Sequence, residues 1–403
     1  MQGVIFGAGN VGRGFIGELF SEADLEICFA DVNEEIIQSI NEKNQYPHIA
    51  VYNDDRQIKW ITNVCAINSN DELSVIQKVT DADIIATCVG AKALPMIAPV
   101  LAKSVLSRIL TTGRPVNIFL CENYHNVDQY MRSLLLKYIP ETQIDLFNEK
   151  TGLISTSIGR MIPVSSPEIK DIHPAAIKVE QYKFLPYDGS ALKGKIPEIP
   201  GLIWDPNVIF DFYSDRKLYL HNMGHSMTAY LAQYFDYEYI WQAIMNPIIR
   251  YFVRAAMLEA AVALSKKYQE PIEGLTDHVD NLLMRFGNKA LQDTCKRVGQ
   301  DPLRKLSLED RFFGAYFMCL EQGICPNHIS LGVAAGLLVL EKCEDFKFDN
   351  IESYLEEKIS LLYKEQNSLH LIILLEQIDI LRSGMDFNIL IDFFDKYGPK
   401  NIA

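Results

Sequence analysis

Along the first 165 residues, short apolar runs at 3–6, 26–30, 84–88, 116–121 and 152–157 alternate with stretches of helical periodicity such as 13–21 and 34–42. Runs this short, separated by amphipathic segments, predict strands joined by helical crossovers, that is, a parallel doubly wound sheet. Residues 163–206 then gather prolines 163, 167, 174, 186, 197, 200 and 206 together with Asp188-Gly189 and Gly194. Proline removes backbone donors and stops helices, so this stretch reads as extended connections and edge strands at a domain junction. After residue 207 the texture changes. The runs 227–268, 279–291, 311–321, 329–342, 351–364 and 368–382 carry long apolar periodicity with few strand signals, which predicts a mostly helical second domain. The expected fold class is α/β plus all-α, divided into domains 1–200 and 201–403.

The chain has 403 residues, 48% of them hydrophobic, enough apolar material for two large cores. Its formal charge of −14 repels a phosphate backbone, and no Lys/Arg-rich run offsets it, so nucleic-acid binding is excluded as an expectation. The apolar stretch 331–340 is too short and too rich in Gly and Ala for a membrane span. The N-terminus has no basic region ahead of its apolar run, so it reads as a first strand, and a cytoplasmic location is expected. Eight cysteines are scattered without a C-x-x-C pair, and eight histidines show no H-E-x-x-H motif. Buried free thiols are expected, and no metal.

The first chemical motif is Gly7-Ala8-Gly9-Asn10-Val11-Gly12, between the first predicted strand and a helical segment. Gly7 allows the tight turn, Gly9 lets backbone approach a pyrophosphate, and Gly12 lets helix and strand pack closely, while the helix N-terminus favours an anion. The next strand ends at Asp31, where a carboxylate binds ribose hydroxyls and repels a 2′-phosphate. No Lys or Arg lies within residues 32–40, so the expected cofactor is NAD bound by a Rossmann-type domain. Val89 and Gly90, at the end of a later strand, are expected along the same crevice, and Asn123, after Cys121-Glu122, is placed to offer an amide to a substrate oxygen.

The helical domain opens on Arg216-Lys217-Leu218-Tyr219-Leu220-His221-Asn222-Met223-Gly224-His225. Hydride transfer from an alcohol needs a base for the hydroxyl proton, and a lysine serves when burial or nearby cations bring its pKa from about 10.4 toward 7–8. Lys217, in apolar surroundings beside Arg216, is the candidate. Asn222 would then donate to the developing alkoxide, and His225, one turn on, would bind an adjacent hydroxyl. Tyr213 and Lys217 also fit the Y-x-x-x-K spacing of short-chain dehydrogenases, but the T-G-x-x-x-G-x-G loop of that group is absent. Farther along, Arg304, Lys305 and Arg311 concentrate positive charge in an acidic chain, as an anionic substrate requires.

The K-x4-N-x2-H pattern at Lys217, Asn222 and His225, downstream of G-A-G-N-V-G-R-G-F-I-G and F-A-D-V-N, resembles the polyol-specific long-chain dehydrogenases. The resemblance extends over residues 6–17, 29–33, 87–90, 121–123, 194–201, 216–230 and 297–311. It implies a Rossmann domain joined to a helical domain, NAD without a metal, and interconversion of mannitol 1-phosphate with fructose 6-phosphate. It also implies Lys217 as general acid/base, Asn123 and Asn222 as oxyanion-stabilising amides and His225 as a substrate contact. Arg304, Lys305 and Arg311 match its P-L-R-K-L…D-R segment, and a phosphate-anchoring role follows from their charge. Gly159 stands where that family has Asp, and Gly287 where it favours Glu. These departures bear on which polyol is used, so a free-polyol dehydrogenase and a hexuronate reductase remain alternatives, and a sugar-phosphate or dinucleotide sensor without catalysis is the rival of another class.

Overall fold

The computed structural model describes residues 1–163, 166–343, 349–360 and 367–397, and the chain divides into two compact units, Met1–Phe210 and Asp211–Ala403. The first is built on a six-stranded parallel sheet of order β5-β2-β1-β6-β7-β8. Its strands are β1 (Gln2–Phe6), β2 (Glu26–Asp31), β5 (Val64–Asn68), β6 (Ile84–Thr87), β7 (Val116–Leu120) and β8 (Thr151–Ser155). Side chains alternate between two buried faces. Ile5, Ile27, Phe29, Ala86 and Phe119 enter one core, and Val4, Phe6, Cys28, Ala30, Ile85, Ile118 and Leu120 the other. A sheet buried on both faces explains why its strands read as continuous apolar runs.

The second face is covered by the helices Glu72–Asp81 and Leu94–Thr112. The segment Ala91–Thr112 is long and apolar enough to cross a membrane, a feature the focus on residues 331–340 passed over; half of its most apolar window is buried inside the unit. The first face is covered by the helix starting at the glycine loop and by a small sheet of order β4-β3-β9, formed by β3 (Gln45–Tyr52), β4 (Asp55–Thr62) and β9 (Ile177–Glu180). Segment 13–21, expected to be amphipathic, is buried from Gly12 to Phe20. Its two charged residues have internal partners. Arg13 donates to the carbonyls of Ala8 and Ala175, and Glu18 pairs with Arg160 and lies 3.5 Å from His48. Arg160 also donates to the Glu180 and Gly14 carbonyls, fastening β9 to the helix below the glycine loop.

The second unit is helical among its described residues. The expected run 227–268 is three helices, Met223–Ala232, Ile240–Met245 and Pro247–Tyr268. Asp236, with φ of 52°, ends the first, and Pro247 starts the third beneath an Asn246 cap. Asn327–Leu340 crosses the core, where a Cβ at Gly332 or Gly336 would meet the Phe312 or Tyr230 ring at 2.9 or 3.0 Å, so glycine is what lets this helix lie close. The predicted run 351–364 is helical over Ile351–Ser360, and residues 361–364 lie outside the described residues.

Candidate active site

In the first unit the glycine loop joins β1 to a helix whose opening turn, Gly12–Ile16, is a π turn. Gly7 has φ of +97°, and a Cβ there would stand 2.7 Å from the Cys88 carbonyl oxygen. At Gly12 a Cβ would lie 1.9 Å from the Gly7 oxygen, so any side chain breaks the turn. Gly9 differs, because a Cβ there meets nothing within 4 Å. The fold thus needs glycine at 7 and 12 for its own packing, while at Gly9 the room opens outward, as close approach of a pyrophosphate demands. Asp31, at the end of β2, accepts from Ala8 N at 2.5 Å through one oxygen and from Val32 N and Asn33 N at 2.8 and 2.9 Å through the other. Its carboxylate therefore fixes the glycine loop against the end of β2. The carbonyls and amides of Asn10 and Val11 open the helix beside it.

The strand end next door is organised by Glu122, which with Asn123 forms the polar pair that closes this strand. This buried carboxylate accepts from the Thr87 hydroxyl at 2.7 Å and from Val89 N at 3.1 Å. Burial raises its pKa against the hydrogen bonds from Thr87 and Val89, which lower it. Gly90 follows with φ of +84° and nothing near its Cβ position, so the 88–90 turn rests on Gly7 on one side and on Glu122 on the other. Asn123 is the next residue after this anchor. Gly159 lies in the same unit, where a Cβ would come within 3.3 Å of the Tyr182 ring.

In the second unit Lys217 opens a six-residue π turn, Lys217–Asn222, set between the helices Phe210–Arg216 and Met223–Ala232. Wide turns of this kind are rare and concentrate at functional sites. The Lys217 ammonium is brought down from 10.5 to about 8, first by burial and then by the Arg311 guanidinium. Sequence reasoning expected Arg216 as the helping cation. Instead Arg216 lies over the rings of Phe212 and Tyr213, at 5.5 and 5.1 Å. Asn222 closes the turn, and its carbonyl accepts from Arg311 at 3.4 Å. His225, one turn further, stacks on Phe286 with centroids 4.9 Å apart, and its Nε2 lies 3.3 Å from the Asp293 carboxylate. His221, buried in the same turn, is held far below its usual pKa by burial and then by Arg285, so it stays neutral.

The three expected anion ligands separate. Arg311 joins the Lys217 turn: it donates to the Ser226 hydroxyl at 3.2 Å and pairs with Asp310 at 2.9 Å. Arg304 is half exposed and held by Asp301 and Asp310. Lys305 departs from expectation, because its side chain is buried and its ammonium donates to the Val298 carbonyl. The P-L-R-K spacing places Arg304 and Lys305 on one short helix, Pro302–Lys305, and successive residues there point apart. Asp293 carried no signal of its own in the sequence, since it acts through His225, a partner distant in the chain. Among the described residues no group of His, Cys, Asp and Glu side chains converges as metal ligands.

Two family models match the chain, the mannitol dehydrogenase Rossmann domain over residues 1–201 and the mannitol dehydrogenase C-terminal domain over residues 210–363. A mannitol-1-phosphate 5-dehydrogenase of Thermoanaerobacter pseudethanolicus is 35% identical over 84% of this chain and 86% of its own. Another, of Caldanaerobacter subterraneus subsp. tengcongensis, is 34% identical over 89% and 91%. The fold is similar to that of a substrate-free D-sorbitol dehydrogenase, with a TM-score of 0.80 at 15% identity over 95% of this chain and 93% of the other. It is also similar to Pseudomonas fluorescens mannitol 2-dehydrogenase solved with NAD and D-mannitol, with a TM-score of 0.70 at 16% identity over 95% and 92%.

Proposed function

The chain belongs to the mannitol dehydrogenase family, and on that premise we propose that it is an NAD-dependent, metal-independent oxidoreductase interconverting mannitol 1-phosphate and fructose 6-phosphate. The observation that carries this reading is Lys217 on its π turn, with its amine brought to about 8 by burial and by Arg311. The substrate assignment draws on the two relatives of that name at 34–35% identity. NAD, when bound, supplies the hydride acceptor for polyol oxidation and, reduced, the donor for ketose reduction. Gly7–Gly12 would hold its pyrophosphate, Asp31 its adenine-side ribose, and Val89 and Gly90 would flank the same crevice.

The protein's own residues then divide the work. Lys217, as the neutral amine, takes the proton from the carbinol hydroxyl, and as the ammonium returns it to the ketose oxygen in the reverse direction. Asn222 donates to the oxygen on which charge develops. His225, aligned by Phe286 and by Asp293, meets a neighbouring hydroxyl. Arg311 attracts the substrate's phosphate and keeps Lys217 from holding its proton too tightly, with Arg304 adding charge at the surface. The deciding experiment is NADH oxidation at 340 nm in the presence of EDTA, with fructose 6-phosphate compared with fructose. A preference of at least 100-fold in kcat/KM for the phosphorylated ketose supports the assignment. Equal rates point to a free-polyol dehydrogenase, and NADH binding without turnover of any ketose or uronate points to a sensor.

A further inference from the structure

Four of the eight cysteines fall into two neighbouring pairs in the first unit: Cys28 faces Cys65 across the ladder, and Cys88 and Cys121 follow the register partners Thr87 and Leu120. The proposed reaction uses none of these sulfurs. Cys28 and Cys65 are register partners on the parallel strands β2 and β5, and both side chains lie on the sheet face covered by Glu72–Asp81 and Leu94–Thr112. Adjacent strands run about 4.8 Å apart, within the Cα separation of about 4.4–6.8 Å that a disulfide spans. β5 is the outermost strand of the sheet, so Cys65 is partly open to solvent while Cys28 is buried. Lys78, on the covering helix, sets a cation beside both sulfurs, an environment that favours a reactive thiolate. The facing Cys28 thiol brings the Cys65 thiol from 9.0 to about 7, with burial opposing and Lys78 assisting.

We propose that Cys28 and Cys65 are a reversible oxidation site that takes a small hydroperoxide and closes to a disulfide. The Cys65 thiolate attacks one peroxide oxygen: a sulfur–oxygen bond forms, the oxygen–oxygen bond breaks, and the leaving alkoxide or hydroxide takes up a proton. The peroxide is reduced and Cys65 becomes a sulfenic acid. The Cys28 sulfur then attacks the Cys65 sulfur, hydroxide leaves with the Cys28 proton as water, and the sulfur–sulfur bond forms. Two thiols and one hydroperoxide thus give one disulfide, one alcohol or water, and one further water.

The site is coupled to the nucleotide loop through the strands that carry it. Asp31 lies three residues beyond Cys28 on β2; it pairs in register with Asn68 of β5 and holds Ala8 N. Closing the bridge draws the two sulfurs to about 2 Å, and the shift is carried along β2 and β5 to Asp31. Cys65 at the sheet edge leaves the bridge open to a reducing thiol. This coupling, unlike the bridge itself, rests on the reading of the glycine loop as a dinucleotide site.

The test treats the full-length protein with hydrogen peroxide, maps peptides by mass spectrometry without reduction, and titrates NADH by fluorescence before and after dithiothreitol. A Cys28–Cys65 bridge is expected, with NADH affinity falling about tenfold and returning on reduction. Cys65→Ser and Cys65→Ala should each bind NADH as the parent does and resist peroxide. A bridge at Cys88–Cys121 instead, sulfinic acid at Cys65 without a bridge, or unreacted thiols overturns the site. A Cys28–Cys65 bridge with unchanged NADH affinity overturns the coupling alone. Failure of the untreated protein to bind NADH removes the functional reading, while the peptide map still decides the bridge.

Discussion

If Lys217 carries the proton, the working pH of the enzyme is set by the turn around it. An amine at about 8 is uncharged in about one molecule in ten at pH 7, against about one in three thousand for a lysine at 10.5. Polyol oxidation consumes the neutral amine, so its kcat/KM should climb about tenfold per pH unit and level off near pH 8; ketose reduction consumes the ammonium and should decline above the same point. Lys217→Ala should lower kcat by about 100- to 10,000-fold, the range general acid–base groups supply, with NADH binding within twofold of the parent. Arg311→Met removes the second cause of the shift, so the midpoint should move to higher pH, though short of 10.5 because burial, the larger cause, remains. A lost phosphate anchor raises KM but does not move the midpoint, which separates the two roles of Arg311. The assay is absorbance at 340 nm across pH 6–10 in both directions. Lys217→Ala activity within tenfold of the parent, or an unmoved midpoint in Arg311→Met, would refute the reasoning.

Gly9→Ala should leave the thermal midpoint unchanged and weaken NADH binding by about tenfold, whereas Gly12→Ala, with its Cβ 1.9 Å from the Gly7 oxygen, should fail to give a stable Rossmann unit; calorimetry and NADH titration read both. Asp293→Asn keeps the shape of the contact to His225 but removes its charge, and should cut kcat/KM for the sugar phosphate by about tenfold while NADH affinity holds. Burial brings the His48 imidazole from 6.5 to about 4, so the unfolded chain binds its proton first. Stability should therefore fall as pH drops from about 6.5 toward 4, and His48→Gln should flatten that stretch of the urea-denaturation profile.

The central strands were legible because both faces of the sheet are apolar, and β1 and β2 stop sharply at Gly7 and Asp31. β5 was not, since Val64-Cys65-Ala66-Ile67-Asn68 is short and follows directly on β4. The hairpin of β3 and β4 hid its pattern differently. β3 contains Pro47, tolerated because pairing with β9 starts only at His48, and β4 is exposed from Asp55 to Trp60. In the helical unit the individual runs were visible, but the breaks at Asp236 and Pro247 were submerged in a long apolar pattern. The lowered pKa of Lys217 was legible from its apolar surroundings, whereas the assisting cation was misread: Arg216 is adjacent in sequence, but Arg311, 94 positions on, is the cation that acts on it. Lys305 shows the limit of arguing from charge alone. Its burial depends on a carbonyl seven residues away that no composition reveals.

The π turn at Lys217–Asn222 also bears on how this activity is inherited. A π turn holds one residue more than an α-helix needs to cover the same span, so losing a single codon there would let Phe210–Arg216 and Met223–Ala232 run on as one ordinary helix with their core contacts kept. The shortened chain would keep both helices, but the spacing of Lys217 and Asn222 would change by one residue. If Lys217 carries the proton, the architecture and the reaction are therefore separately heritable along a lineage, and an inert descendant stands one in-frame deletion from an active ancestor.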